Sequence, residues 1–407
     1  MPPLMHNPAY PLVLTFALCL AGCSREDKQQ NTKTPATPAA ASKGYQTLTD
    51  VPQTVQSQAE RFGRDLESAI RQRQLPALKA AFDTGAIVDG ICDGVHANSQ
   101  QLNQFKSGLE RGMRSGVDQI AGIWTEDDVK FKRVVLYRGE LAARFRLLNE
   151  TSGISLIDLV LRTNRQGKLA IANFCNHALG YDLVDQSRQL TGPMLAEMDK
   201  TFLERLLDGP AVSRESMLKF GEMNQKLRAG DSAGVIAAYK ELPPSLQQSM
   251  AATAIYISAL QRSDNTAAYK TALKQAAARF KAVNFQFMLV DVYMMDKEYD
   301  QAVKCVDIFM QALEKDAALL TLKSILQNAK GDVPAARATL HEALELEPDC
   351  AYAHSKGLDV LLAAKDFPAV RDSMLFLEKT GRYNFKENLN DEVWAEFKKA
   401  PESAPWR

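Results

Sequence analysis

The sequence predicts an α+β domain in the N-terminal half of the chain and an all-α region built from repeats in the C-terminal half. The first prediction rests on a helical stripe of apolar residues after Val51 and on a period-two pattern between Val129 and Ala178. The second rests on polar, turn-forming residue pairs that recur every 33 or 34 residues from Gly230 onwards. The 407 residues suffice for two or three domains of about 150 residues each.

The chain begins with an apolar segment that ends in a small-residue run, Leu20-Ala21-Gly22-Cys23. The segment, Leu12 to Leu20, is short for a membrane span, which takes about 20 residues, but has the length of a signal-peptide core. The run resembles the lipobox of bacterial lipoproteins. That resemblance implies a signal peptide over residues 1–22, cleavage before Cys23, and lipid attached to the Cys23 sulfur, with acyl chains such as palmitate. Residues 1–10 contain no Lys or Arg, so a degraded anchor helix or a misassigned start is the alternative.

Residues 23–50 read as the lipidated cysteine followed by a disordered tether, because they are rich in Pro, Ala, Thr and Gln and poor in large apolar side chains. Ser24 follows the cysteine. In Gram-negative lipoproteins an aspartate there commonly retains the protein in the inner membrane, so the resemblance implies the periplasmic face of the outer membrane, with the inner membrane as the alternative. No later stretch is apolar over the roughly 18 residues of a membrane span, so we expect the lipid to be the membrane attachment.

The charge balance gives no electrostatic argument for a nucleic-acid partner, since Lys plus Arg and Asp plus Glu number 49 each. Outside the signal peptide and Cys23, four cysteines remain: Cys92, Cys175, Cys305 and Cys350. In an oxidising compartment four cysteines allow three pairings, among which we favour Cys92–Cys175 because both fall within one predicted domain. Four buried free thiols are an equal alternative.

The α+β domain is predicted over residues 51–190. Helices are expected over about 51–70, 77–83 and 98–124, the last of which starts near the Asn98/Ser99 cap. A loop is expected around Gly85, Gly90 and Gly94, and strands over 129–137, 141–148, 154–163 and 168–178. Short connections between the strands predict an antiparallel meander. The second strand alternates two sets of residues, which predicts one buried and one solvent-facing side. The apolar set is Leu141, Ala143, Phe145 and Leu147, and the other set is Ala142, Arg144 and Arg146.

Helices followed by a curled four-stranded antiparallel sheet resemble the nuclear-transport-factor-two-like cone, also called SnoaL-like. The resemblance covers residues 51–190, rests on element order, and implies a space between helices and sheet that holds a ligand in some members. In that space Asp158 is a candidate general base beside Tyr137, and His177 is a third candidate pocket residue. The alternative places Asp158 on the solvent-facing side of its strand, because a buried carboxylate needs a partner.

One set of residues could bind a metal or supply a Cys–His dyad, namely Cys92, His96, Cys175 and His177. Their spacing matches no established zinc pattern, and a disulfide explains both cysteines more simply. No phosphate-binding loop, nucleophile elbow or calcium loop is present in the sequence. We therefore predict no metal, no cofactor and no catalytic residue.

The C-terminal half is predicted to contain a linker helix over 191–212, helical repeats over 213–383 and a C-terminal cap over 384–407. The repeat turns are Gly230-Asp231, Ser263-Asp264, Lys297-Glu298, Gly331-Asp332 and Lys365-Asp366. In residues 317–350 the turn is followed by the small residues Ala336 and Ala343 and by Pro348, a pattern that resembles the tetratricopeptide repeat. The resemblance implies a solenoid whose groove binds a protein segment, with Phe285 and Leu289 as candidate groove residues. Trp394 and Phe397 are expected on a last amphipathic helix.

These observations predict a membrane-anchored protein that acts as a protein–protein interaction scaffold, with a protein partner in a cell-envelope complex and no nucleic acid. The first alternative is a small-molecule binding protein or enzyme that uses a pocket in the N-terminal domain. The second is a structural scaffold in which that domain dimerises through its sheet. The sequence leaves the oligomeric state and the partner's identity open.

Overall fold

The computed structural model describes residues 46–125, 128–149, 153–199, 214–263, 265–381, 383–389 and 392–406. The predicted signal peptide, the predicted lipidation site Cys23 and most of the predicted tether lie outside these residues. The chain divides into two compact units, one extending to Phe280 and the other beginning at Lys281. Among the described helices, none combines the length and the apolar character that a membrane crossing requires.

The first unit begins with four helices: α1 (Gln53–Arg71), α2 (Leu75–Ala80), α3 (Thr84–Ile91) and α4 (Ser99–Trp124). Asn98 caps α4 as predicted, with its side chain accepting a hydrogen bond from the Gln100 amide. The predicted loop around Gly85 and Gly90 is wrong, because α3 occupies that stretch. Burial of three apolar residues, Ile87, Val88 and Ile91, offsets the low helix propensity of the two glycines.

A five-stranded antiparallel sheet follows, with strands in the order of the sequence: β1 (Asp128–Tyr137), β2 (Glu140–Asn149), β3 (Gly153–Thr163), β4 (Leu169–Asn176) and the two-residue β5 (Tyr181–Asp182). The prediction of four strands in an antiparallel meander is confirmed, and β5 is an addition. Helix α5 (Leu183–Met198) then begins directly after the sheet, with the Asp182 side chain accepting a hydrogen bond from the Asp185 amide.

The main core lies between the helices and one face of the sheet. Helix α1 packs against β1 and β2, whereas α3 and α5 pack against β4. Trp124 contacts Phe82 and Phe174, with ring centroids 5.7 and 6.3 Å apart respectively. Phe145 on β2 and Met113 on α4 are fully buried in the same core. Large apolar side chains therefore occupy the region where the family resemblance implied a ligand space.

The prediction of one solvent-facing side for β2 is wrong, because both sides of the strand are buried. Arg144 and Arg146 are 6% and 1% exposed. Ala142 forms a second, smaller apolar cluster with Val135 and Val160 on the same side. An alternating pattern predicts a wet face only when its polar residues reach solvent, whereas Arg144 is buried against a partner, as described below.

Among its described residues, the first unit contains five further helices: α6 (Arg214–Arg228), α7 (Ser232–Glu241), α8 (Pro244–Gln247), α9 (Met250–Gln261) and α10 (Thr266–Phe280). The second unit contains α11 (Val283–Met295), α12 (Tyr299–Ala312), α13 (Ala317–Lys330), α14 (Val333–Leu346), α15 (Ala351–Ala363), α16 (Phe367–Lys379) and α17 (Phe385–Asn388). The all-α character predicted for this part of the chain is confirmed over its described residues.

Three helix pairs of the second unit repeat with a constant spacing. Their first helices begin at residues 283, 317 and 351, and their second helices at 299, 333 and 367, so corresponding helices begin 34 residues apart. The predicted turns lie between the helices of each pair. Lys297, Gly331 and Lys365 occupy corresponding turn positions, with positive φ values of 59°, 93° and 53°. The spacing is thus present in the backbone conformation as well as in the sequence.

The chain ends in three short 3₁₀ helices, Glu392–Trp394, Phe397–Lys399 and Pro401–Trp406, so the prediction of one amphipathic helix is wrong. Their aromatic side chains are nevertheless buried as a cap requires. The Phe397 ring lies 6.1 Å from the rings of both Trp394 and Trp406. The Trp406 indole donates a hydrogen bond to Glu378 on α16 at 2.8 Å. Packing of three large rings fits a compact, irregular segment better than one helical stripe.

Substituting Gly63 tests the contact between α1 and the sheet. A Cβ atom at Gly63 would overlap the Phe131 ring, which packs on Phe145, so we expect Gly63→Ala to lower the free energy of unfolding by about 1–3 kcal/mol. Gly122 is the matched control, since it also lies in a helix and a Cβ there meets nothing within 4 Å. Gly122→Ala should raise stability by about 0.5–1 kcal/mol. Urea denaturation of both variants measures the difference, and equal effects would contradict the predicted overlap.

Candidate functional site

A group of polar residues lies on the sheet face that points away from the main core; we call Tyr137, Arg144, Asp158, Cys175 and His177 the sheet-face cluster. Asp158 on β3 pairs directly with Arg144 on β2 and with Cys175 on β4. Directly opposite residues of antiparallel strands project to the same face. Their neighbours along the strands alternate into the main core, so the register itself brings these three side chains together.

Asp158 is the centre of the cluster and is 1% exposed. Its two carboxylate oxygens accept hydrogen bonds from Arg144 Nε and Nη2, both at 2.7 Å. Oδ2 also lies 2.7 Å from His177 Nε2. Burial raises the pKa of Asp158, but the hydrogen bonds and charges of Arg144 and His177 outweigh that effect, so the net pKa is lowered. Asp158 is therefore an ionised carboxylate held by two donors.

Cys175 lies on the other side of the His177 ring, with its Sγ atom 3.9 Å from Nδ1. Because the ionised Asp158 can only accept hydrogen bonds, the proton between it and His177 belongs to Nε2. In the neutral form of the imidazole, Nδ1 is then unprotonated and faces the thiol. Burial raises the pKa of Cys175 to about 12. Cys175 is thus a thiol that faces a base.

Tyr137 closes the cluster at its β5 end. Its hydroxyl donates to Asp182 Oδ2 at 2.9 Å, and its ring meets the His177 ring edge-on at a centroid distance of 6.1 Å. Asp182 also accepts hydrogen bonds from Asn173 Nδ2. Burial, together with the negative groups nearby, raises the pKa of Tyr137, so it is a neutral hydrogen-bond donor.

The three pocket residues predicted from the sequence, Tyr137, Asp158 and His177, come together in the structure, but on the opposite face of the sheet from the helices. The predicted location between helices and sheet is therefore wrong, and so is the alternative of a solvent-facing Asp158. The sequence analysis did not assign Arg144 to the site. The signal that could have found it is the short β2–β3 connection, which fixes the register and hence the pairing of Arg144 with Asp158.

The preferred Cys92–Cys175 disulfide is not formed, since both residues are buried free thiols. Cys92 follows α3 and belongs to the main core, whereas Cys175 lies on the other face of the sheet. The same separation rules out one site built from Cys92, His96, Cys175 and His177. Within the described ranges, no three His, Cys, Asp or Glu side chains form a group that could hold a metal ion.

The candidate groove residues Phe285 and Leu289 are 1% and 4% exposed, so neither offers a surface to a partner. The apolar stripe on α11 marks a packing face of the helix, which a sequence pattern alone does not distinguish from a binding face. The same helix carries Asp291, which is 6% exposed and whose side chain has no hydrogen bond or ion pair within the described chain. Burial raises the pKa of Asp291 to about 7.

No protein-family model matches this chain, and no curated protein matches it.

Replacing Asp158 tests the buried ion pair. Asp158→Asn leaves Arg144 without its carboxylate, so we expect the free energy of unfolding to fall by about 3–5 kcal/mol at pH 7. Because the folded-state pKa of Asp158 is lowered, its contribution is present above the unfolded value of 3.8 and is lost as the pH falls through the folded value. The variant should therefore show a weaker loss of stability in acid than the unsubstituted chain.

Glu140→Gln is the matched control for that experiment. Glu140 accepts two hydrogen bonds from Arg162, at 2.6 and 2.9 Å, but their side chains are 26% and 39% exposed. Solvent screens this pair, so we expect a loss of at most about 1 kcal/mol. Denaturation curves at several pH values measure both variants, and equal losses would contradict a special role for the buried pair.

Asp291→Asn tests the isolated carboxyl on α11. The folded-state pKa is raised to about 7 from 3.8, so ionisation opposes folding and stability falls as the pH rises between these values. We expect the variant to match the unsubstituted chain near pH 4 and to be more stable at pH 8, by about 1.4 kcal/mol per unit of pKa shift. Asp359→Asn, at the corresponding exposed position of α15, should change stability by less than about 0.5 kcal/mol at either pH. No gain for Asp291→Asn at pH 8 would refute the assignment.

Proposed function

We propose that this chain is a membrane-anchored lipoprotein that binds a protein partner through its helix pairs, as a scaffold within a cell-envelope complex. The observation that carries the proposal is the 34-residue spacing of the three helix pairs in the second unit. Helix pairs of that length resemble tetratricopeptide repeats, and stacked repeats present an extended surface suited to a segment of another protein.

Packing within the second unit supports stacked repeats. Helix α13 packs against its partner α14 and against α15, the first helix of the next pair. The small residues Ala336 and Ala343, together with Leu340, are fully buried on α14. A Cβ atom at Gly357 on α15 would come within 2.7 Å of the Leu340 side chain, so the two helices approach closely there. Each pair thus buries its apolar face against its neighbour, as repeat architectures require.

The partner surface that we propose consists of apolar residues left exposed on the helix pairs. Met295, Ala329 and Ala363 are exposed at corresponding positions near the ends of three successive first helices. Among the second helices, Ile308 and Leu346 are 41% and 49% exposed. These residues replace the buried Phe285 and Leu289 as the groove candidates, because only exposed side chains can contribute apolar area to binding.

Membrane attachment is proposed through Cys23, on the lipobox pattern Leu20-Ala21-Gly22-Cys23, and the absence of Asp at residue 24 favours the outer membrane. Stable anchoring requires more than one acyl chain, which the lipoprotein resemblance supplies. We expect Cys23→Ser to abolish incorporation of a palmitate analogue and to release the chain from the membrane fraction. Cys19→Ser is the matched control, because Cys19 lies in the segment that is removed. Unchanged labelling of the Cys23 variant would refute the lipoprotein assignment.

Photo-crosslinking in intact cells tests the partner surface. A photoreactive side chain at Met295 or Ile308 should capture a discrete protein, because these apolar residues are exposed. The same probe at Leu75, an exposed apolar residue on α2 that is 39% accessible, is the control and should not capture that protein. A second substitution, Leu346→Lys, tests whether Leu346 belongs to the same partner surface, and weaker capture is the expected result. Absence of protein adducts from every exposed repeat position would remove the scaffold proposal.

The second candidate function is small-molecule binding or catalysis in the N-terminal domain. The observation that favours it is the sheet-face cluster, in which Cys175, His177 and Asp158 form a continuous line of hydrogen-bonding atoms. Phe145 and Trp124 fill the helix-facing side of the sheet, so we propose that any such activity uses the cluster's face.

A further inference from the structure

We propose that Cys175, His177 and Asp158 form a thiol–imidazole–carboxylate site at which a small hydroperoxide oxidises Cys175 to a sulfenic acid. The proposal is independent of the partner-binding function and rests on the geometry of the sheet-face cluster. The site is defined by the register of β3 and β4, and not by residue type or sequence spacing. The register places Cys175 opposite Asp158, and His177, two residues after Cys175, contacts both.

The arrangement supplies the thiol proton with an acceptor. Asp158 is held by two hydrogen bonds from Arg144 and accepts the His177 Nε2 proton, so in the neutral imidazole Nδ1 carries the lone pair. Nδ1 is the atom that faces Cys175 Sγ, at 3.9 Å. A nucleophile, a base and a carboxylate that orients the base are the components of general-base assistance, which the thiol needs because burial raises its pKa and keeps it protonated at rest. The Asp158 side chain also stabilises the imidazolium that forms when the proton is transferred.

Burial limits which electrophile can react. Cys175 is 6% exposed and the His177 side chain is 16% exposed, so a bulky or charged substrate does not fit beside the sulfur. A hydroperoxide is small and uncharged, and it needs no oxyanion-binding site of its own. Tyr137, whose ring packs edge-on against His177, supplies a neutral hydroxyl at the same end of the cluster. The chemical class that the geometry accepts is therefore hydrogen peroxide or a small organic hydroperoxide.

The step balances without another reagent. His177 Nδ1 takes the thiol proton, the sulfur attacks one peroxide oxygen, and the oxygen–oxygen bond breaks. The departing oxygen leaves with the bonding electrons and accepts the proton from His177. With hydrogen peroxide the products are Cys175 sulfenic acid and water, so the sulfur loses two electrons and the peroxide gains them.

The chain contains its own reference thiols. Cys92 and Cys305 are both 4% exposed, close to the value for Cys175, and within the described residues neither is hydrogen-bonded to a histidine. Burial raises the pKa of each of them to about 11, so they match Cys175 in accessibility and in resting protonation state. A difference in oxidation rate between Cys175 and these two residues then reports on His177.

The test measures oxidation of each cysteine in the full chain, purified in detergent and exposed to hydrogen peroxide at pH 7. A dimedone-type reagent traps sulfenic acid, and mass spectrometry of the peptides gives a rate for each residue. General-base assistance commonly accelerates a step by a hundredfold or more, so we expect Cys175 to react at least about tenfold faster than Cys92 and Cys305. Equal rates for the three thiols in the unsubstituted chain would overturn the proposal, and this comparison needs no variant.

Two histidine variants then assign the effect. His177→Gln should reduce the Cys175 rate to that of Cys92, whereas an unchanged rate with the reference thiols still protected would overturn the role of His177. His341→Gln is the matched control, because His341 Nε2 also lies 2.7 Å from a carboxylate, that of Asp366, in the second unit. That variant should leave the Cys175 rate unchanged. If His177→Gln unfolds the domain, Cys92 becomes reactive as well. The proposal is then judged by the oxidation rates of Cys175, Cys92 and Cys305 in the unsubstituted chain.

Discussion

Asp158 carries a negative charge where almost no solvent reaches it, and the structure of the N-terminal domain depends on how that charge is stabilised. An isolated buried carboxylate is strongly unfavourable, so Asp158 requires donors with fixed geometry. Arg144 supplies two hydrogen bonds from the neighbouring strand and His177 supplies one from the end of β4. Because these donors come from different strands, the ion pair specifies the register of β2, β3 and β4 at once. A shift by one residue would move Arg144 into the apolar core.

The same constraint explains why this sheet is buried on both faces although only one of them belongs to the main apolar core. Phe145 and Leu159 pack into the main core, whereas Arg144 and Asp158, their neighbours along the strands, meet on the other face. Polar side chains buried with partners have low-dielectric surroundings, which strengthen each interaction and fix the protonation states. The cluster is consequently both a structural element and the place in the described chain where a thiol, a base and a carboxylate are aligned.

The second unit shows the opposite case at Asp291, a carboxyl buried on α11 with no partner in the described chain. Desolvation raises its pKa, whereas in the sheet-face cluster Arg144 and His177 overcome desolvation and lower the pKa of Asp158. Asp366 resembles Asp158, because it accepts hydrogen bonds from Arg337 and His341 on α14. Asp158 and Asp366 thus connect separate elements of the fold, whereas Asp291 opposes folding once it ionises.

The sequence by itself determined the local elements: the strand boundaries within two residues, the antiparallel order, the Asn98 cap and the turns at Lys297, Gly331 and Lys365. Alternation, turn chemistry and repeat spacing act over a few residues, so they can be read without knowing the fold. Tertiary structure decided which residues of these elements are buried and which residues they contact. It made α3 a helix despite its glycines, buried Phe285 and Leu289, separated Cys92 from Cys175, and brought Arg144, Asp158 and His177 together. Burial and pairing depend on residues far apart in the chain, and only packing of the elements brings those residues into contact.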